Sequence, residues 1–342
     1  MNAHYPYVLN LFYEEPDPDR WLPFDRYPRR VIRRLVRGRG RIGGTMRVFV
    51  NLCAGLDRLG ARYRINDYGH IRRAPHELAC VVGKPHVLAK IPPETPILFG
   101  TAGYTHPLDD LDAVIRHNIR SYLVPSAWVQ QLHEAYWPGM TRVWPCGIDT
   151  DLWSPDTSIA KSVDVVVYDK TNDRDRTESG ESLVSFVCAG LQARGLHFEI
   201  VKYGSYRERD FKRLLHRCRS LIYLSASESQ GFALLQTLAT DIPVLAWDPG
   251  GYWRAPDYYP HRVLFRPVTS VPYWDDRCGE KFFGTADFEE QFNRFWSKVL
   301  KRCFQPRELI TGTLTLEQRA RAYLDIVGAV ANQVRPMEGT TR

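Results

Sequence analysis

Residues 221–251 read LIYLSASESQGFALLQTLATDIPVLAWDPGG, and the order of residue types in this stretch decides the fold. Leu221, Ile222, Tyr223 and Leu224 form a short apolar run of the kind that makes a buried strand. Small and polar residues follow, with an acid at Glu228, then Gly231 and a helix-compatible run over 232–240. A second apolar strand, 243–247, comes at once, so strand, turn, helix and strand alternate as in a parallel α/β sheet. A glycine turn between strand and helix leaves backbone N–H groups at the helix N-terminus. There they and the helix dipole attract phosphate oxygens. The stretch is therefore predicted to hold a diphosphate.

The flanking sequence repeats this alternation. Upstream, an apolar strand over 163–168 ends in Asp169 and Lys170 and runs into the polar loop TNDRDRTESG. A strand over 198–202 leads to Tyr203, Gly204, Ser205 and Tyr206, and a helix over 210–218 returns to the quoted stretch. Downstream, the run from Asp248 to Trp253 reads as a loop able to cover a ligand. Phe288, Phe292, Phe295, Trp296 and Val299 recur at helical spacing within 282–304. Leu316, Ala320, Tyr323, Leu324 and Val327 share one side of a final helix over 315–334. In the N-terminal half a first strand is expected over 7–12, and further strands over 79–82, 96–99 and 121–124. Gly43 and Gly44 permit close backbone approach ahead of a helical stripe of Val48, Leu52, Leu56 and Leu59. His106 follows the strand ending at Phe99, with Gly100 and Gly103 expected to leave room for a ligand. Asp109 and Asp110 sit where a helix start takes capping acids.

The quoted stretch resembles the donor-site signature of the retaining GT-B glycosyltransferases, family 4 in particular. In that signature an acid, a Gly-Phe turn, an aliphatic pair and a second acid precede a Pro-Val strand. Here these are Glu228, Gly231 with Phe232, Leu234 with Leu235, and Pro243 with Val244. Gln236 stands in place of the second acid, keeping hydrogen-bonding capacity without the charge. Residues 124–155 also resemble the family's passage into its second domain. Ser126 is placed as an N-cap, and Gly147, Ile148, Asp149, Trp153 and Pro155 match the linker run.

The resemblance implies an α/β GT-B architecture of two Rossmann-like domains whose parallel sheets face a central cleft, with the C-terminal helix crossing back to the first domain. The boundaries it suggests are 1–148 for an acceptor-side domain, 149–314 for a nucleotide-sugar domain and 315–342 for the crossover helix and tail. The implied activity is transfer of a sugar from a UDP- or GDP-sugar co-substrate, with retention and without a metal or other cofactor. The acceptor would be a glycan, a lipid-linked sugar or a protein. Glu228, Lys170 and His106 are the implied catalytic set. Donor contacts are implied at Gly43, Gly44, Lys170, Arg174, Arg176, Gly204, Tyr206, Glu228, Gly231, Phe232, Ala233 and Gln236, with Arg174 and Arg176 as alternatives for one phosphate contact. A catalytically silent GT-B scaffold that binds glycan or a partner, and a GT-B sugar-nucleotide epimerase, are the competing functions.

Composition sets the outer bounds. The 342 residues suffice for two domains, and 44% hydrophobic with 25% charged residues is the balance of a globular chain. No run is long and apolar enough to span a bilayer, and the N-terminus lacks a signal-peptide pattern, so a cytoplasmic protein is expected. Seven scattered cysteines without a C-x-x-C pair read as reduced thiols. The net charge of +7 is uneven. Residues 26–41 hold Arg26, Arg29, Arg30, Arg33, Arg34, Arg37, Arg39 and Arg41, with Val31, Ile32, Leu35 and Val36 interleaved at helical spacing. A solvated helix face and a peripheral contact with an anionic membrane surface both suit this segment. No nucleic-acid module accompanies the arginines, so no nucleic-acid partner is expected.

Overall fold

Strands buried on both faces carry short apolar runs, as residues 79–81, 97–99, 165–168, 221–224 and 244–247 do here. The structure is a computed structural model that describes residues 8–16, 43–101, 103–172 and 181–334. The arginine-rich segment 26–41, Arg174, Arg176 and the tail 335–342 lie outside the described residues.

The N-terminal half contains β1 (Leu9–Phe12), α1 (Gly44–Arg58), β2 (Tyr63–Ile65), α2 (Tyr68–Arg73), β3 (Ala79–Val81), β4 (Ile97–Gly100), α3 (Ala113–Arg116), β5 (Ile119–Val124), α4 (Ala127–Glu134) and β6 (Thr141–Val143). Its six strands form one parallel sheet in the order β2-β1-β3-β4-β5-β6. The remainder contains β7 (Val163–Asp169), α5 (Leu183–Ala193), β8 (Phe198–Lys202), α6 (Glu208–Arg217), β9 (Cys218–Leu224), α7 (Phe232–Ala239), β10 (Val244–Trp247), β11 (Gly279–Phe282), α8 (Thr285–Leu300), α9 (Pro306–Thr313) and α10 (Leu316–Val334). Its five strands form a second parallel sheet, β11-β10-β9-β7-β8.

The chain divides into two compact units. One joins Met1–Pro125, His133–Gly147 and Glu317–Arg342, and the other joins Ser126–Leu132 with Ile148–Leu316. In the first, Val48, Leu52 and Leu56 of α1 are buried, while Leu59 forms the helix C-cap. Helix α10 belongs to the same unit through Ala320, Tyr323, Leu324 and Val327. The Trp144 indole donates to the Arg319 carbonyl at 2.8 Å and meets the Tyr323 ring edge-on at 5.0 Å. In the second unit both faces of the sheet are covered. Leu221 and Tyr223 of β9 pack with Phe211, Leu235 and Leu238 on one face, and Ile222 and Leu224 with Val187, Phe288 and Phe292 on the other. The alternation along β9 follows from the two-residue period of a strand.

The linker is fastened within the second unit. Ile148 N donates to the Leu314 carbonyl at 2.8 Å, Asp149 caps the turn at Asp151 and Leu152, and Trp153 is buried in the core. The Arg307 guanidinium donates to the carbonyls of Thr150 and Trp153, each at 2.9 Å, and to that of Ala239.

Three local expectations change. The helix expected over 282–304 starts at Thr285, because Phe282 closes β11 and the Asp287 carboxylate accepts the N–H groups of Phe283 and Gly284. Ser126 starts α4 through its carbonyl, which accepts Gln130 N at 3.0 Å. Its buried hydroxyl has no hydrogen-bond partner among the described residues and does not cap. Finally, Gly100 and Gly103 make room for the protein itself. A Cβ at Gly100 would lie 2.3 Å from the Leu123 carbonyl oxygen, and one at Gly103 would lie 2.4 Å from the Phe99 ring.

Candidate functional site

Connection order marks one place in the second sheet. The chain passes from β7 outward to β8, then returns across β7 to β9 and continues outward through β10. The connections leaving β7 and β9 therefore diverge, and in open α/β sheets the crevice outside such diverging carboxyl ends is where ligands sit. Lys170 is the first residue after β7, held there by its N–H bond to the Leu224 carbonyl at 2.9 Å. Glu228 lies in the turn after β9.

These two side chains meet. Lys170 Nζ donates to Glu228 Oε1 at 2.7 Å and lies 4.8 Å from the centroid of the exposed Tyr203 ring. Glu228 Oε1 also accepts from Tyr223 OH at 2.6 Å and Ser225 Oγ at 3.1 Å. The backbone of Glu228 is pinned as well: its N–H donates to the Thr269 carbonyl at 2.9 Å and its carbonyl accepts the Trp128 indole N–H at 2.8 Å. Thr269 is in turn fixed by Asp248, whose carboxylate accepts Thr269 Oγ1 at 2.9 Å, Ser270 N at 2.8 Å and Lys281 Nζ at 3.0 Å. The 248–271 loop is thus tied to the turn that carries Glu228, with Trp253 buried and its N–H donated to the Phe265 carbonyl.

Three tyrosines surround the carboxylate. Tyr223 stacks on Tyr168 at 5.1 Å, and Tyr168 OH lies 3.0 Å from Tyr206 OH. Burial, and then the negative charge of Glu228, raise the Tyr223 phenol well above its ordinary value. Burial followed by the neighbouring Tyr206 does the same to Tyr168. Neutral phenols that donate hydrogen bonds are what these surroundings favour.

Gly231 completes the turn. Its φ of 79° is the left-handed region, which glycine enters without a Cβ penalty. It is the N-cap of α7, and among the described residues neither a capping side chain nor a first-turn acid competes for the N–H groups of Phe232 and Ala233. Glu228 Cγ lies 3.5 Å from where a Gly231 Cβ would stand, so the acid and the helix start are neighbours.

The other expected residues divide. Gln236 is buried on α7 and donates its amide to Glu208 Oε1 at 3.0 Å. Tyr206 is half-buried, with its ring 4.9 Å from that of Phe211. Gly204 is exposed with a φ of 75°. Gly43 and Gly44 open α1 in the first unit, where among the described residues no side chain caps the helix and a Cβ at either would meet nothing within 4 Å. His106 is also in the first unit and fully buried. Its Nδ1 accepts Leu108 N at 3.1 Å, while Asp109 accepts the N–H groups of Thr105 and His106. Asp110 pairs with Arg116 rather than capping. Among the described residues no group of His, Cys, Asp and Glu is arranged to hold a metal ion.

In the sequence Tyr203 is named only as part of the loop after the 198–202 strand, and Tyr223, Ser225 and Trp128 are not singled out. One signal was available: a tyrosine inside a buried strand needs a partner for its hydroxyl, and an acid stood five residues away.

No family model matches the chain, and no curated protein matches it in sequence. Solved structures do resemble it in fold. Sucrose-phosphate synthase from Thermosynechococcus elongatus superposes with a TM-score of 0.53 at 12% identity, over 94% of this chain and 99% of that one. The apo form of the lipopolysaccharide outer core galactosyltransferase WaaB gives 0.53 at 11%, over the same shares, 94% and 99%. The pneumococcal O-GlcNAc transferase GtfA, solved with UDP and GlcNAc, gives 0.45 at 9%, and this chain covers 77% of its own length but 59% of that protein's. With two parallel sheets of Rossmann type and a last helix that returns to the first unit, the chain has the GT-B fold.

Proposed function

We propose that this protein is a retaining, family-4-like glycosyltransferase that moves a sugar from a UDP- or GDP-sugar to a glycan, lipid-linked or protein acceptor, without a metal. The observation that carries the reading is the meeting of Lys170, Glu228 and the uncapped start of α7 at the diverging ends of β7 and β9. When a glycosidic bond to a nucleotide diphosphate breaks, negative charge grows on the departing phosphate. A fixed ammonium and backbone N–H groups stabilise that charge more than they stabilise the bound donor, which is what lowers a barrier. Lys170 and the N–H groups of Phe232 and Ala233 have that chemistry. Glu228, an acceptor held from several sides, suits the hydroxyls of the transferred sugar. Gln236, Tyr206 and Gly204 are assigned to the nucleoside end, and Gly43 and Gly44 to an anion-facing role at the start of α1. Arg174 or Arg176 adds a second cation, whereas His106, fully buried with Nδ1 accepting Leu108 N, takes no part in the proposal. The arginines of 26–41 are assigned to an anionic membrane surface.

The test is calorimetric titration with UDP and GDP, followed by release of free sugar from a panel of UDP- and GDP-hexoses without acceptor. Binding of one nucleotide and slow hydrolysis of one donor are expected, both reduced at least tenfold in Lys170→Ala. Absence of binding to either nucleotide sinks the assignment.

A further inference from the structure

The Glu228 carboxylate is loaded on one oxygen. Oε1 accepts from Tyr223 OH at 2.6 Å, Lys170 Nζ at 2.7 Å and Ser225 Oγ at 3.1 Å, the single Ser225 proton being shared with the Ser227 carbonyl at 3.2 Å. The three donors differ in mobility. Tyr223 is 1% exposed and Ser225 2%, so both are fixed by the core. The Lys170 side chain is 29% exposed, and its other described contact is the face of Tyr203, itself 59% exposed. Lysine is a flexible stem with three rotatable donors, so an arriving anion draws on Lys170 and leaves the other two in place. A carboxylate held by Lys170 alone would then be an uncompensated charge in a site where its side chain is 7% exposed. Hydrogen bonds from fixed dipoles remove that cost before any ligand arrives.

We propose that Tyr223 and Ser225 are positioning residues that keep the Glu228 carboxylate in place while Lys170 turns to the phosphate of the ligand. This rests on the nucleotide-sugar reading above, and adds to it a division of labour: Lys170 is the exchangeable donor, and the phenol and hydroxyl are the permanent ones. Tyr223 acts through Glu228, with its ring in the core against Tyr168. The titratable groups facing the carboxylate are the Lys170 ammonium after β7, the phenols of Tyr168 on β7 and Tyr206 ahead of α6, and Tyr223 on β9.

The experiment compares wild type, Tyr223→Phe and Ser225→Ala for UDP and GDP affinity, thermal midpoint, and kcat and KM of donor hydrolysis. In Tyr223→Phe, nucleotide affinity and donor KM are expected to stay within about twofold while kcat falls roughly thirtyfold, as for loss of a charge-stabilising hydrogen bond. Ser225→Ala should lower kcat the same way by less, and it leaves the core ring intact should Tyr223→Phe fold poorly. Unchanged kcat in both variants overturns the inference, as does a parallel loss of affinity, kcat and thermal midpoint. Wild type that binds neither nucleotide overturns the proposed function and this inference together. Wild type that binds while both variants match it overturns this inference alone.

Discussion

An ammonium 2.7 Å from a carboxylate is a neutralised cation, and that fact governs what Lys170 can offer a ligand. A phosphate approaching Lys170 meets the attraction of one charge and the repulsion of Glu228 beside it. At the effective dielectric of a partly buried site, a unit charge a few ångströms away is worth about 1–4 kcal/mol. Glu228→Gln keeps the size and one acceptor of the side chain but removes its charge. The expected result is UDP or GDP binding tightened about tenfold, with sugar release from the donor reduced at least a hundredfold, because an amide holds sugar hydroxyls less strongly than a carboxylate. Titration calorimetry and a hydrolysis assay on the same preparation check the two halves. Equal or weaker nucleotide binding by Glu228→Gln would show that the acid does not compete for Lys170. The same residue shows why Tyr223 matters: its phenol and the lysine share one oxygen, and only the lysine is free enough to leave.

At the scale of elements, glycines at three helix or strand starts do different work. Gly279 opens β11 at a φ of 146°, and a Cβ there would lie 1.8 Å from the Val244 carbonyl oxygen, which is backbone and cannot turn aside. Gly279→Ala should therefore unpair β11 from β10, cost about 3 kcal/mol or more, and remove hydrogen-exchange protection at residues 279–282. Gly231 has room for a methyl group at ordinary contact distances, so a substitution there is strained by its φ of 79° and not by space. Gly43 is the reverse case, with a φ of −67° and, among the described residues, nothing within 4 Å of where a methyl group would stand. Gly43→Ala should leave folding free energy within about 0.5 kcal/mol by urea titration. If a ligand phosphate approaches that helix start, the same variant loses nucleotide affinity, and calorimetry separates the two effects.

The molecule as a whole carries buried acids that must stay protonated. Burial pushes the thiols of Cys80, Cys218 and Cys278 up to about 12 from 9.0, and all three are free cysteines. The phenols of Tyr122, Tyr168, Tyr223 and Tyr323 are also raised, chiefly by burial. A raised value in the folded state means that the unfolded chain ionises first. Stability is then complete below about pH 9 and falls as pH climbs from there toward the folded values, by about 1.4 kcal/mol per pH unit for each such group. Urea unfolding measured from pH 7 to pH 11 should show a plateau followed by a steep alkaline decline, reduced in Cys218→Ala. A flat profile above pH 9 would show that these groups ionise in the folded protein. No helix among the described residues is long and apolar enough to cross a membrane.

The sequence by itself determined the class of fold and singled out part of the candidate site. Apolar runs such as 165–168 within Val163–Asp169 and 221–224 within Cys218–Leu224, alternating with helix-compatible segments, point to parallel α/β sheets, because hydrophobic pattern is a local property of the sequence. Lys170, Glu228 and Gly231 were legible for the same reason, since each stands at the end of a strand or the start of a helix. The short strands Tyr63–Ile65, Thr141–Val143 and Gly279–Phe282 were not, because three or four residues carry too little pattern to separate strand from loop. Only the tertiary structure decided which side chains meet. Sheet order brings residue 170 against residue 228, places the Tyr223 hydroxyl on the same oxygen, and seats His106 in the core as a capping group. Contacts across long stretches of chain are set by strand order and packing, which no window of sequence contains.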